Sequence, residues 1–299
     1  MSLRLSLLTA LSLAVACGGG GTTIDPNAPD EALFQEGLAL YGQLMYGPAA
    51  AKFDQLVATY PTSARHDNAG YLTGRCAYEQ NDFPTAITKL TAMRTAHPTS
   101  TFVASAAYFT GRSRFKTLDY LGSEADFRAA VVANPASVFA DNAQYYLGRA
   151  AYELADYPTA VTELAALETA YPQSSYLDNG QYYLGRSYYA TGAYAQAATE
   201  FQRVPLTPMS SYADDAGYWL GRTDYVQGNL AGALAAFDAL LTAFPTSQYV
   251  DNALGYKARV QADQANCTGA RATWTQLMTQ FPGSTYVTST DTYLTGVGC

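Results

Sequence analysis

The stretch Asp141–Ala160, DNAQYYLGRAAYELADYPTA, returns at 178–197 as DNGQYYLGRSYYATGAYAQA and at 214–233 as DDAGYWLGRTDYVQGNLAGA. Aligning the chain on its prolines extends the pattern. Pro61, Pro98, Pro135, Pro172, Pro208, Pro245 and Pro282 are spaced 37 residues apart, with one interval of 36. Self-similarity at a fixed period marks a repeat architecture. Units open at Asp30, Asp67, Ala104, Asp141, Asp178, Asp214 and Asp251, with a partial eighth near Thr288, so repeats occupy residues 30–299.

Each unit reads as two helices. Asp at position 1 is a good helix N-cap, worth ~1 kcal/mol over Ala, and apolar residues then recur at helical spacing. A polar or Gly break such as ELADYP or QGNLAG ends helix A. Helix B runs to the aromatic residue before the proline, which cannot continue it. Two short helices cannot bury their apolar stripes alone, so each pair must stack on the next. The expected fold is an all-α, right-handed solenoid of about seven helix-turn-helix repeats with two capped ends.

Counting Asp141 as position 1, Leu147 stands at 7, Gly148 at 8, Ala160 at 20, Leu164 at 24 and Pro172 at 32. At these positions the unit resembles the tetratricopeptide repeat. The Ala slot recurs as Ala49, Ala86, Ala197, Ala233 and Ala270. The longer return loop after the proline is similar to the subtype found in the Tol-Pal-associated coordinator (YbgF) and in the outer-membrane lipoprotein BamD. Where those families read YWLGE, this chain reads YWLGR or YYLGR.

The N-terminus reads as a targeting segment. Arg4 precedes an apolar or small run, LSLLTALSLAVA, too short to span a bilayer and of signal-peptide length. Its end, Ala14-Val15-Ala16-Cys17, resembles the lipobox of bacterial lipoproteins. The expected layout is a signal peptide at 1–16, a lipidated Cys17 with a Gly-rich tether at 17–29, and the solenoid at 30–299. Membrane contact is then through the lipid anchor only. The expected location is the outer membrane, facing the periplasm, with a soluble periplasmic or secreted form as the alternative. At the other end, Cys267 and Cys299 fall in successive units. In an exported protein such a pair reads as a disulfide, and Cys76 as a small core residue.

Enzymatic chemistry has little to work with here. The net charge of −8 argues against a nucleic-acid partner. Only His66 and His97 are present, without a cysteine or carboxylate cluster at ligand spacing beside either, so neither a metal site nor a cofactor is expected. Gly-x-Ser-x-Gly is absent, and the chain is expected not to be an enzyme.

The resemblance supplies a surface instead. In tetratricopeptide repeats, helix A positions 2, 5, 9 and 12 line the inner face. Here they are Asn142 and Asn179 at 2; Tyr71, Tyr108, Tyr145, Tyr182 and Tyr218 at 5; Arg75, Arg112, Arg149, Arg186 and Arg222 at 9; and Tyr152, Tyr189 and Tyr225 at 12, with Phe34, Tyr41, Tyr78, Phe115 and Arg259 completing the rows. Arg and Tyr are enriched at binding hot spots, so the stripe is expected to hold a protein or peptide segment carrying carboxylates, in envelope assembly or division. A peptidoglycan or other glycan stacked on the tyrosines is the alternative. The stripe also has a structural reading. Arg75, Arg149 and Arg259 each precede an acid by four residues (Glu79, Glu153, Asp263), and the other arginines could reach the capping Asp of a neighbouring unit.

Overall fold

The computed structural model describes residues 25–26, 28–207 and 209–299; the leader, Cys17, nearly all of the tether and Pro208 lie outside the described residues. Among the described residues there are fifteen helices and no strand: α1 (Pro29–Gly42), α2 (Tyr46–Thr59), α3 (His66–Glu79), α4 (Phe83–Ala96), α5 (Val103–Lys116), α6 (Tyr120–Ala133), α7 (Ala140–Glu153), α8 (Tyr157–Ala170), α9 (Leu177–Ala190), α10 (Tyr194–Arg203), α11 (Ala213–Val226), α12 (Leu230–Ala243), α13 (Val250–Asp263), α14 (Cys267–Gln280) and α15 (Thr285–Gly296). Odd-numbered helices are the A helices and even-numbered ones the B helices. The chain divides into two compact units at Ala143/Gln144, within α7. In each unit helix pairs pack in series, which is the arrangement of an α-solenoid.

The helix boundaries follow from caps, and the caps differ from expectation. Helix A begins before the position-1 aspartate. Arg65, Tyr176, Tyr212 and Tyr249 occupy N-cap positions without a side-chain bond. The aspartate receives a serine from the return loop instead: Ser63 donates to Asp30, Ser100 to Asp67, Ser247 to Asp214 and Ser284 to Asp251, at 2.5–2.7 Å. Each of these serine oxygens also accepts a backbone N–H two residues on, at 3.0–3.2 Å. A serine that closes its own turn brings helix A in one residue early. The carboxylate is left in the first turn, where the helix dipole favours it. This clip joins the two ends of one repeat.

Helix B carries the side-chain caps. Asp82, Asp119, Asp156, Asn229 and Asn266 accept from the N–H three residues on, at 3.0–3.2 Å. Helix α10, with 10 residues, is the shortest of the described helices. Pro205 pushes Val204 into extended backbone and ends α10 at Arg203, within the one 36-residue interval.

Gly148 sets the spacing within a pair. A Cβ there would lie 2.6 Å from Leu164 Cγ and 3.1 Å from the Leu164 nitrogen, and Gly74 meets Leu90 in the same way. Cys267 and Cys299 are joined, with Cα atoms 4.9 Å apart at a sequence separation of 32. Arg271 reinforces the bond by donating from Nε to the Cys299 carbonyl at 2.9 Å. Cys76 is buried in unit 1, and burial pushes its thiol up to about 12, which leaves it unreactive.

Two outcomes test this packing. Gly148→Ala is expected to destabilise by roughly 1–3 kcal/mol, read by denaturant unfolding, because backbone as well as side chain must move. Closing the 32-residue loop is worth roughly 3–4 kcal/mol in the chain-entropy model. Reduction should therefore speed amide exchange in α15 while leaving α1 to α6 unchanged.

A stacked arginine–aromatic face

Helix A presents positions 2, 5, 9 and 12 on one stripe, and the structure sorts them by depth. The position-5 rings Phe34, Tyr71, Tyr108, Tyr145, Tyr182 and Tyr218 are only 1–8% exposed. They are core residues, which corrects the expectation that their faces line a groove. Each tyrosine lies flat on the aromatic residue of the return loop that follows its own helix pair. In unit 1 the pairs are Tyr71 with Phe102 and Tyr108 with Phe139; in unit 2 they are Tyr145 with Tyr176, Tyr182 with Tyr212 and Tyr218 with Tyr249. Centroids are 4.5–5.2 Å apart and the planes are within 27°.

The first and last slots are filled differently. In the first repeat Arg65 takes the place of the loop aromatic, its guanidinium 4.7 Å from the Phe34 centroid and its Nε 2.8 Å from Glu31. In the seventh repeat position 5 is Gly255, and Tyr286 fills the space, 2.7 Å from where a Cβ would sit.

Position 6 is the hub that the four-row reading missed. Phe109, Tyr183, Trp219, Tyr256 and Tyr293 each meet the position-9 arginine of the repeat before. Arg75 lies 3.8 Å from the Phe109 centroid, Arg149 5.0 Å from Tyr183, Arg186 3.9 Å from Trp219, Arg222 5.4 Å from Tyr256 and Arg259 5.5 Å from Tyr293. The position-12 tyrosines pack edge-on against the same rings: Tyr78 on Phe109, Tyr152 on Tyr183, Tyr189 on Trp219 and Tyr225 on Tyr256. The signal was present in the sequence, since every full copy of the phrase carries an aromatic residue directly after the tyrosine.

The guanidinium tips reach phenol oxygens. Arg112 donates to Tyr108 and Arg186 to Tyr182, each at 2.7 Å, and Arg75 to Tyr71 at 3.4 Å. Position-2 side chains of the next repeat meet the same hydroxyls. Asn142 donates to Tyr108 and Asn252 to Tyr218, each at 3.3 Å, while Asn179 is half-buried. Burial pushes the Tyr218 phenol up to about 12 and raises Tyr182 as well, so both stay neutral at physiological pH. Carboxylates answer only part of the cationic row. Arg75 pairs with Glu79 at 2.6 Å and Arg149 with Glu153 at 3.6 Å. Arg259 does not pair with Asp263, because the Tyr293 hydroxyl takes that carboxylate; it donates to Ser289 Oγ at 3.0 Å instead. Among the described residues Arg222 and Arg259 have no carboxylate partner, and both lie against Tyr256.

Asp215 stands where four other repeats have Asn. Its Oδ1 accepts from Tyr249 at 2.6 Å and from Tyr182 at 3.4 Å, so a chain of hydrogen bonds links Arg186 through Tyr182 to Asp215. Burial is the main reason its carboxyl is raised above the usual range, and the two hydroxyls hold it back only partly.

Among the described residues no group of three or more His, Cys, Asp or Glu side chains could hold a metal ion. A shallow cleft of about 600 Å³ opens in unit 1 beside Ile87, Thr91, Thr95 and Arg114, and it shares no residue with the stripe.

Helix pairs clipped and stacked in this way define a tetratricopeptide-type repeat protein. The sequence matches the model of the YfiO outer membrane lipoproteins over residues 26–136 and again over 137–297, and the chain belongs to that family. Among solved structures it is similar to the C-terminal part of a TPR repeat-containing protein from Cytophaga hutchinsonii, with TM-score 0.67 and 17% identity over 86% of this chain and 98% of that one. A tetratricopeptide repeat protein from Parabacteroides merdae gives 0.54 and 13% over 89% and 98%. A structure of Naa15/Naa10 bound to HypK gives 0.54 and 14% over 90% and 39%. At these identities the likeness concerns the fold. No curated protein matches the chain. Among the described residues no helix is long and apolar enough to cross a membrane.

Asp215→Asn should raise stability at neutral pH by roughly 1 kcal/mol, since Asn keeps an acceptor for both hydroxyls and removes a desolvated charge. A raised carboxyl costs nothing where it is protonated in both folded and unfolded states. The gain should therefore be full near neutrality and vanish as pH falls through the carboxylate range, as thermal melts at several pH values would show.

Proposed function

We propose that this protein is a non-enzymatic scaffold, anchored to the outer membrane through a lipidated Cys17 and the 17–29 tether, after removal of residues 1–16. It faces the periplasm and holds an extended, carboxylate-bearing segment of an envelope protein along the helix-A stripe, in envelope assembly. The observation that carries the reading is the pair Arg222 and Arg259 beside Tyr256, cationic and without a carboxylate partner among the described residues. The arginine planes are held in place by rings, so little side-chain entropy remains to be lost on binding. Membership of the YfiO lipoproteins supports the location, and the Naa15/Naa10 structure, determined with HypK bound, is a neighbour in fold that holds a protein partner. The glycan reading needs open tyrosine faces, and the position-5 rings are covered.

The test places a photo-crosslinking amino acid at half-buried Tyr225 of the full-length lipoprotein in cells. A discrete adduct with an envelope protein is expected. Arg222→Gln with Arg259→Gln should weaken its formation by about tenfold or more while far-UV circular dichroism is unchanged. An adduct that survives the double change undiminished, or a fold that collapses with it, assigns the row to repeat-to-repeat bridging alone.

A further inference from the structure

The chain has two histidines, and the helix pair brings them into contact. His66 opens α3 and His97 follows the last residue of α4, the two helices of one repeat in unit 1. His66 Nδ1 lies 2.7 Å from His97 Nε2, with ring centroids 4.8 Å apart. Their backbones are fixed by the fold, His66 N–H donating to the Ser63 carbonyl at 3.1 Å and His97 N–H to Met93 at 2.9 Å. In the seventh repeat the same two positions are Val250 and Phe281, which pack in an apolar cluster. In the sixth they are Ala213 and Phe244. A slot that the sixth and seventh repeats fill with an aliphatic and an aromatic residue, and the third with Val103 and Asn134, thus holds both histidines of the chain here. Packing alone does not call for that exchange.

Two touching imidazoles need one donor and one acceptor, so a single proton joins them. A cation can replace it once the two rings turn so that both lone pairs converge on one point. We propose that His66 and His97 form a two-histidine site for a divalent transition-metal ion of tetragonal preference, Cu²⁺ or Ni²⁺. Distance selects the class. Imidazole nitrogens bind such ions at about 2.1 Å, so two nitrogens 2.7 Å apart subtend about 80° at the metal. An opening of a few tenths of an ångström gives the right angle of a cis pair in a square-planar site, whereas tetrahedral zinc requires about 3.4 Å between nitrogens. Both rings are half-buried, which leaves the remaining positions to water. Asp67, the adjacent carboxylate, is committed to the Asn68 N–H at 2.7 Å and to the Ser100 hydroxyl at 2.6 Å. The imidazoles therefore carry the site.

Titration of the full chain with CuCl₂, followed by electron paramagnetic resonance and calorimetry, tests the assignment. One saturable equivalent with coupling to two nitrogens is expected, with weaker binding of Ni²⁺ and Zn²⁺. His66→Val with His97→Phe installs the seventh-repeat pair. That variant should keep its helical circular dichroism and melting while Cu²⁺ affinity falls by about tenfold or more. The proposal is overturned if the double variant binds Cu²⁺ equally well, if Zn²⁺ binds more tightly than Cu²⁺, or if no saturable equivalent forms. A wild type that takes no metal but loses stability on acidification, where the double variant does not, would make the pair a proton-linked contact, and the metal site would fall.

Discussion

The flat contact between Tyr108 and Phe139, 4.8 Å between centroids, ties helix A of one repeat to the loop that leads into the next. A helix pair has an apolar stripe on more than one side and cannot bury it alone, so it is this kind of contact that makes a row of pairs a folded unit. Burying a ring of this size contributes roughly 1.5–3 kcal/mol, and the stacked geometry about 0.5–1.5 kcal/mol more. Because the tyrosine keeps its hydroxyl, the same residue also offers a polar tip at the stripe, where Arg112 and Asn142 meet it. Core and surface are thus joined in one side chain. The chain's preference for tyrosine over phenylalanine follows from that double demand.

The arginines extend the same logic by one step. A guanidinium over the Trp219 or Phe109 ring fastens one repeat to the next, and each such contact is worth roughly 0.5–2 kcal/mol depending on how dry it is. Bridging and binding do not compete for the same part of the group. Ring stacking uses the face of the guanidinium plane, whereas carboxylates are recognised by its edge. Where an edge already meets Glu79 or Glu153, little is left for a partner. Where Tyr293 holds Asp263, the edge of Arg259 meets only the neutral hydroxyl of Ser289.

The period, the glycine slot and the ends of helix B were legible in the sequence because each rests on a local rule: proline stops a helix, and only glycine lets Leu164 come so close. Features that depend on what stacks beside a residue were not. Asp67 looks like an N-cap until Ser100, 33 residues away, is seen to bind it. Position 6 is apolar in a helix and reads as ordinary packing until an arginine from the preceding repeat lies over it. The tyrosine faces looked available because helical spacing gives the side of a helix but not the depth at which that side is buried. The histidines were invisible for the same reason, since no spacing rule links residues 31 apart.

The ends of the array show what the stacking contact is worth by what replaces it. The first and last full repeats use the same loop position as the others but change the partners that meet there. At the start Arg65 stacks on Phe34 and is held by the buried Glu31, whose carboxyl stays below its usual value because, against the cost of burial, Arg65 and Gln35 bond to it. At the finish Gly255 clears a space for Tyr286, and a disulfide secures the half-repeat that supplies it. Stability in such an array is close to a sum of repeat and neighbour terms, so a weakened end frays while a weakened middle divides the chain. The stripe can therefore vary at its outward tips, as Asn gives way to Asp215, without loss of the fold, provided the rings beneath remain.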